Sequence, residues 1–170
     1  MRGSSLARLG ARRGGKISHV DRDRAKPTIL GPNEGVRYEA RGSEMIFKAL
    51  ASSGRGRFSL MERSLPAGGR MPPPHRHLDC DEAYFVLDGD VSFILEGETN
   101  VGPAGTWVLV PGGVGHTFGN RSDSTAKLLV LHSPPLDGYF ADLHELWHRA
   151  SPPSTEEELE LMHRHGMDPA

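Results

Sequence analysis

Hydrophobic residues in this chain fall first into short runs and only later into a helical stripe. The runs Val36 to Ala40, Met45 to Leu50, Arg57 to Met61, Ala83 to Leu87, Val91 to Leu95, Thr106 to Val110 and Ala126 to His132 are strand-sized and separated by turn formers. Asp88-Gly89-Asp90 and Glu96-Gly97-Glu98 read as hairpin turns between them. This pattern predicts an all-β domain, an antiparallel sandwich or barrel. The period changes over Asp137 to Ala150, where Tyr139, Phe140, Leu143, Leu146 and Trp147 recur at helical spacing and predict an amphipathic helix packed on the strands. A second short helix is expected to start near Ser154-Thr155, with Glu157 or Glu158 completing a capping box, and to stop at Gly166. Its glutamates read as a solvated acidic face, and His163 and His165, two apart on a helix, do not read as a metal pair.

At 170 residues the chain is long enough for one domain with a sizeable core. The organisation expected is a basic flexible arm over residues 1–27, a β-domain over 28–135, and a helical extension packed on it over 136–170. Residues 1–26 hold eight Arg or Lys against two Asp. That arm reads as a disordered extension or an expression leader, which Met1-Arg2-Gly3-Ser4 resembles. There is no apolar secretion signal and no membrane-spanning stretch. A net charge of −2 gives no argument for nucleic acid or a membrane as partner, and a single cysteine excludes an internal disulfide, which fits a cytoplasmic location. Cys80 itself reads as a small loop residue.

The candidate chemistry lies in two segments. The first is Gly69-RMPPP-His75-Arg76-His77-LDCD-Glu82-AYFVLD-Gly89, and the second, fifteen residues on, is Gly105-TWVLV-Pro111-Gly112-Gly113-VG-His116-TFG-Asn120. His75 and His77, two apart on a strand, point to one face. Glu82 sits at an odd offset from them, so the chain must turn or bulge between His77 and Glu82 to bring it to the same side. Pro111 to Gly115 cannot be a regular central strand and reads as a tight turn delivering His116. Three imidazoles and a carboxylate suit one divalent transition metal ion, Fe, Mn, Ni, Co, Cu or Zn, and are too nitrogen-rich for Ca or Mg.

Both segments resemble the two motifs of the cupin superfamily, Gly-x5-His-x-His-x4-Glu-x6-Gly and Gly-x5-Pro-x-Gly-x2-His-x3-Asn, with every specified position matched. The short gap and the chain length resemble a small single-barrel cupin rather than a two-barrel one, and the flanks resemble the quercetin dioxygenase type. The resemblance implies a cupin β-barrel or jelly roll of antiparallel strands, two short C-terminal helices beside it, and a homodimer paired through an edge strand or the region before Val36. It also implies a metal-dependent dioxygenase acting on a small enol, diketone, flavonol or phenolic substrate, with dioxygen as co-reactant. An isomerase or cyclase without oxygen chemistry and a non-catalytic small-ligand binder are the alternatives. Glu82, the only acid among the ligands, is the expected acceptor of a substrate hydroxyl proton. Strand parity adds Met71, Tyr84, Phe93 and Phe118 as pocket lining, which would favour a flat or apolar substrate, and turns Arg76 away. His132, on the last strand, is a pocket candidate with no spacing of its own to argue for it.

Overall fold

The computed structural model describes residues 27–170, so the expected basic arm lies outside the described residues apart from Pro27. Its elements, in order, are β1 (Val36–Ala40), β2 (Ser43–Ala49), β3 (Ser59–Leu65), β4 (His75–His77), β5 (Asp81–Asp88), β6 (Asp90–Leu95), β7 (Glu98–Pro103), β8 (Trp107–Val110), β9 (His116–Gly119), β10 (Ala126–Ser133), α1 (Asp137–Trp147), α2 (Thr155–Arg164) and β11 (Met167–Pro169). The strands form a six-stranded sheet, β1-β2-β3-β10-β5-β8, and a five-stranded sheet, β11-β4-β9-β6-β7. Among the described residues all pairings are antiparallel, giving a two-sheet jelly-roll architecture with two C-terminal helices and no continuous ladder closing the sheets into a barrel.

Alternation builds the core. On β3 every second residue, Ser59, Met61, Arg63 and Leu65, is buried, and on β10 the same holds for Ala126, Leu128, Val130 and His132. Phe47, Met61, Tyr84, Phe93 and Leu128 are fully enclosed between the sheets. Burying each such side chain contributes about 1.5–3 kcal/mol. The apolar stripe of α1 buries Tyr139, Phe140, Leu143 and Leu146, and Phe140 meets Phe47 of β2 with ring centroids 5.6 Å apart. A hydrogen bond from the Glu39 N–H to His144 Nδ1, 3.0 Å long, ties α1 to β1.

The second helix begins as its sequence implies. Ser154 Oγ accepts from the Glu157 N–H, and the Glu157 carboxylate accepts from the Ser154 N–H at 2.9 Å. The expectation that its glutamates all face solvent fails at Glu158, which is completely buried because Arg41 reaches it from the β1–β2 turn. Four strands had no apolar run to announce them, β4 and β9, which carry motif histidines, and β7 and β11. β7 is polar and ends in proline, and β11 is a three-residue strand after the glycine that stops α2, pairing with the histidine strand β4 in the register Met167↔His77, Asp168↔Arg76, Pro169↔His75.

Candidate metal centre

The odd offset between His77 and Glu82 has a direct structural cause. β4 belongs to the five-stranded sheet and β5 to the six-stranded sheet, so Leu78–Cys80 carries the chain across the sandwich between them. Two cross-strand pairs then face one another. His75 lies opposite His116 in the β4–β9 ladder, and Glu82 lies opposite His132 in the β5–β10 ladder. The turn before His116 is fastened to the crossover: Gly113, at a φ of 88° that glycine tolerates, donates its N–H to the His77 carbonyl at 2.7 Å, and the Gly112 N–H reaches Asp81 Oδ1 at 2.9 Å. Motif residue Asn120 closes the other end, donating to the carbonyls of Leu65 (3.0 Å) and Ser124 (2.6 Å).

One ligand atom from each of His75, His77, Glu82 and His116 lies within 4.8 Å of the others, and all four residues are buried. The structure therefore brings together the four residues singled out by spacing, and they could hold a metal ion. Glu82 Oε2 sits 2.9 Å from Nε2 of both His77 and His116, and Oε1 sits 3.0 Å from Nε2 of His132. The ring orientations are fixed from behind, with His75 Nδ1 at 2.8 Å from the Pro73 carbonyl and His116 Nδ1 at 3.0 Å from the Val114 carbonyl. If both His116 contacts are hydrogen bonds, the ring must be an imidazolium. The alternative is a cation in place of the Nε2 proton, which is the arrangement a metal site needs.

Charge favours the same reading. Burial drives His75 down to about 3, helped by His116, which leaves a neutral imidazole with a free lone pair. For Glu82, burial acts to raise the pKa, but the charge of His132 and hydrogen bonds from His116, His132 and His77 outweigh it and hold the carboxyl well below its usual range. Burial opposes a proton on His116 too, yet its bond to Glu82 raises the pKa. Cys80 stands apart. Its buried thiol lies 3.4 Å from the Asp81 carbonyl and 3.3 Å from that of Pro134, and burial with the nearby charge of Glu82 pushes it up to about 12.

A small cavity of about 20 Å³ adjoins the cluster, room for an ion or a water. Its apolar wall includes Phe118, Phe140, Met162 and Met167, so α1, α2 and β11 cover it. Of the four expected lining residues, only Phe118 lines it. Tyr84 and Phe93 pack in the core, their rings 5.2 Å apart, and Met71 lies over the backbone of Gly119. Parity sent them inward, but inward positions along a strand extend past the ligand level into the core. The Tyr84 hydroxyl finds no hydrogen-bond partner among the described residues, and burial with the charge of Glu82 keeps its pKa well above the usual value.

Three polar lining residues were not foreseen as such: Arg41, Arg63 and Tyr139. Arg41 and Gly42, with φ of 56° and 73°, make the two-residue turn between β1 and β2. A non-glycine residue in this conformation costs about 1 kcal/mol or more, offset here by the Arg41 ion pair with Glu158, Nε to Oε2 at 2.7 Å. Arg70 Nη2 approaches Glu158 Oε1 at 3.0 Å but off the hydrogen-bonding direction, a Coulombic contact only. Arg63 was legible in principle, since it shares parity with Met61 and Leu65, but the apolar run that marked its strand ended at Met61.

Comparison with known proteins agrees with this geometry. Residues 61–132 match the family described as "Cupin domain". Quercetin 2,3-dioxygenase of Bacillus subtilis is 30% identical over 140 residues, covering 78% of this chain but only 40% of that protein. Among solved structures, a polyketide cyclase from Streptomyces resistomycificus superposes with a TM-score of 0.57 at 22% identity, covering 64% of this chain and 80% of that one. A predicted oxalate decarboxylase from Thermotoga maritima gives 0.56 at 19% identity, covering 62% and 98%. At such identities the solved structures speak for the fold alone. No helix among the described residues is long and apolar enough to cross a membrane.

Proposed function

Since residues 61–132 of this chain are a cupin domain, we propose that His75, His77, Glu82 and His116 hold one divalent transition metal ion and that the protein is a dioxygenase of a small enolisable substrate. The observation that carries this reading is the convergence of four buried donor atoms within 4.8 Å. Oxygen chemistry is supported by the similarity to a quercetin 2,3-dioxygenase over 78% of the chain. A bound ion would supply a Lewis acid for an ionised substrate oxygen and, if redox-active, a site for dioxygen.

The protein's own residues do the rest. The covering helices and the apolar wall of Phe118, Phe140, Met162 and Met167 exclude water, which strengthens every charge interaction inside. Glu82 is the carboxylate available to take a substrate hydroxyl proton, because Glu158 is committed to Arg41. Its depressed pKa makes it a weak base while three histidines hold it. His132, at 3.0 Å from Oε1, orients the carboxylate. As it stands the cavity is too tight for any of these substrates, so the helices that cover it must give way to admit one, and a small enol or diketone asks less of them than a flavonol.

The test is oxygen uptake by protein loaded in turn with Fe, Mn, Ni or Co, against acetylacetone and a panel of small enols, with quercetin as the large control. Oxygen consumption on a small substrate supports the reading. Turnover of these substrates by the Zn form without oxygen consumption would replace it with an isomerase or cyclase.

A further inference from the structure

Arg63 is 2% exposed, deep between the sheets, yet none of its partners is a carboxylate. Its Nε donates to Ser43 Oγ at 2.9 Å, its guanidinium carbon lies 5.0 Å over the Phe118 ring, and its Nη2 has no hydrogen-bond partner among the described residues. Leaving a buried cationic donor unpaired is costly. The other buried arginine shows what pairing looks like, since Arg41 is matched by Glu158. Glu82 acts on Arg63 only through space, with no hydrogen bond or ion pair between them, and both of its oxygens are engaged by histidines. It lines the same cavity as His75, His77 and Glu82, together with Tyr139. The Tyr139 hydroxyl accepts from Arg41 Nη2 at 3.3 Å, which leaves its own proton to donate. A divalent ion beside the single negative charge of Glu82 would add to the positive excess.

We propose that Arg63 is the binding site for an anionic group of the substrate, with the Tyr139 hydroxyl as second donor, so that the substrate class is a small carboxylate whose enolisable oxygen faces the four-residue cluster. This rests on the function proposed above and narrows it from a neutral diketone to an oxo or enol acid. The guanidinium presents planar, paired donors that match a carboxylate edge on. Burial and the charge of Arg41 lower Arg63 to about 10, which still leaves it charged at neutral pH. The consequence reverses the expectation of an apolar substrate: recognition is electrostatic at Arg63 and metal-directed at the four-residue cluster.

The probes are formate and its neutral isostere formamide, and the readout is the unfolding midpoint of the metal-loaded protein against probe concentration at fixed ionic strength. Formate should stabilise with an apparent dissociation constant about tenfold or more below that of formamide. Arg63→Met should abolish most of that preference, and Arg63→Lys, with charge but no planar fork, should keep a weaker one. Equal affinities in the wild type, or an undiminished preference in Arg63→Met, overturns the proposal. If Arg63→Met does not fold, an Arg63→Lys protein with unweakened formate binding overturns it. Formate binding through Arg63 without oxygen uptake on any small diketone, enol or oxo acid refutes the dioxygenase reading and leaves the anion site standing. Oxygen uptake on acetylacetone with no formate preference does the reverse.

Discussion

The four-residue cluster and the arginine group beside it are built in opposite ways. At the cluster end His75, His77, Glu82 and His116 come from two compact segments, each carrying its own turn glycines and prolines. At the arginine end Arg41, Arg63 and Tyr139, which line the cavity that adjoins the cluster, come from a hairpin turn, a strand interior and a helix, and are held by Glu158 from a second helix and Ser43 from a second strand. The first end is specified locally and the second only by tertiary packing. Local specification makes a ligand set readable, whereas the residues that select a substrate are scattered wherever the fold happens to converge.

That contrast can be broken by mutation at either end. The largest effect is expected at the ligand end: His116→Ala should weaken binding of the metal by more than about 100-fold, beyond the range typical of a supporting residue. Unchanged affinity by competitive chelation would dissociate His116 from the site. At the other end, Arg41→Ala leaves Glu158 buried with only the off-axis Arg70 for company, and should cost about 3 kcal/mol in chemical denaturation. A loss of a few tenths would mean that the pair is not buried as described.

His132 joins the two ends, since it faces Glu82 across the β5–β10 ladder without belonging to either motif. His132→Gln should weaken metal binding by about tenfold, through a carboxylate less firmly oriented. Proton linkage gives a subtler check. The raised pKa of His116 means that its proton persists to higher pH, so an incoming ion must displace it. Metal affinity should therefore fall as pH drops through and below that pKa, with about one proton released per ion bound in an unbuffered titration. No release in a titration run below that pKa would show that His116 keeps its proton and does not ligate. The smallest effect belongs to Cys80, whose thiol is raised to about 12. It should resist alkylation at neutral pH, and Cys80→Ser should leave metal content unchanged.

Much of this was readable before the fold was known. Short apolar runs announced β1, β2, β3, β5, β6, β8 and β10, the His75 and His77 spacing announced β4, and the odd offset of Glu82 required a turn or bulge where Leu78–Cys80 crosses between sheets. The capping pair Ser154 and Glu157 was visible as well. β7, β9 and β11 were not, because strands this short or polar are held by their partners and not by an apolar pattern of their own. Glu158 looked like its exposed neighbours, since nothing local distinguishes a glutamate that an arginine from 117 positions earlier will bury. Parity correctly sent Tyr84 and Phe93 inward but could not say at what depth the cavity ends.

The proposed convergence of four side chains on one ion is tested most directly by metal stoichiometry. Elemental analysis of the protein purified without added metal, then reconstituted and freed of excess, should give one transition metal ion per chain in the wild type and essentially none in the His75→Ala, His116→Ala double variant. Full occupancy in the double variant, or none in the wild type after reconstitution, would contradict it.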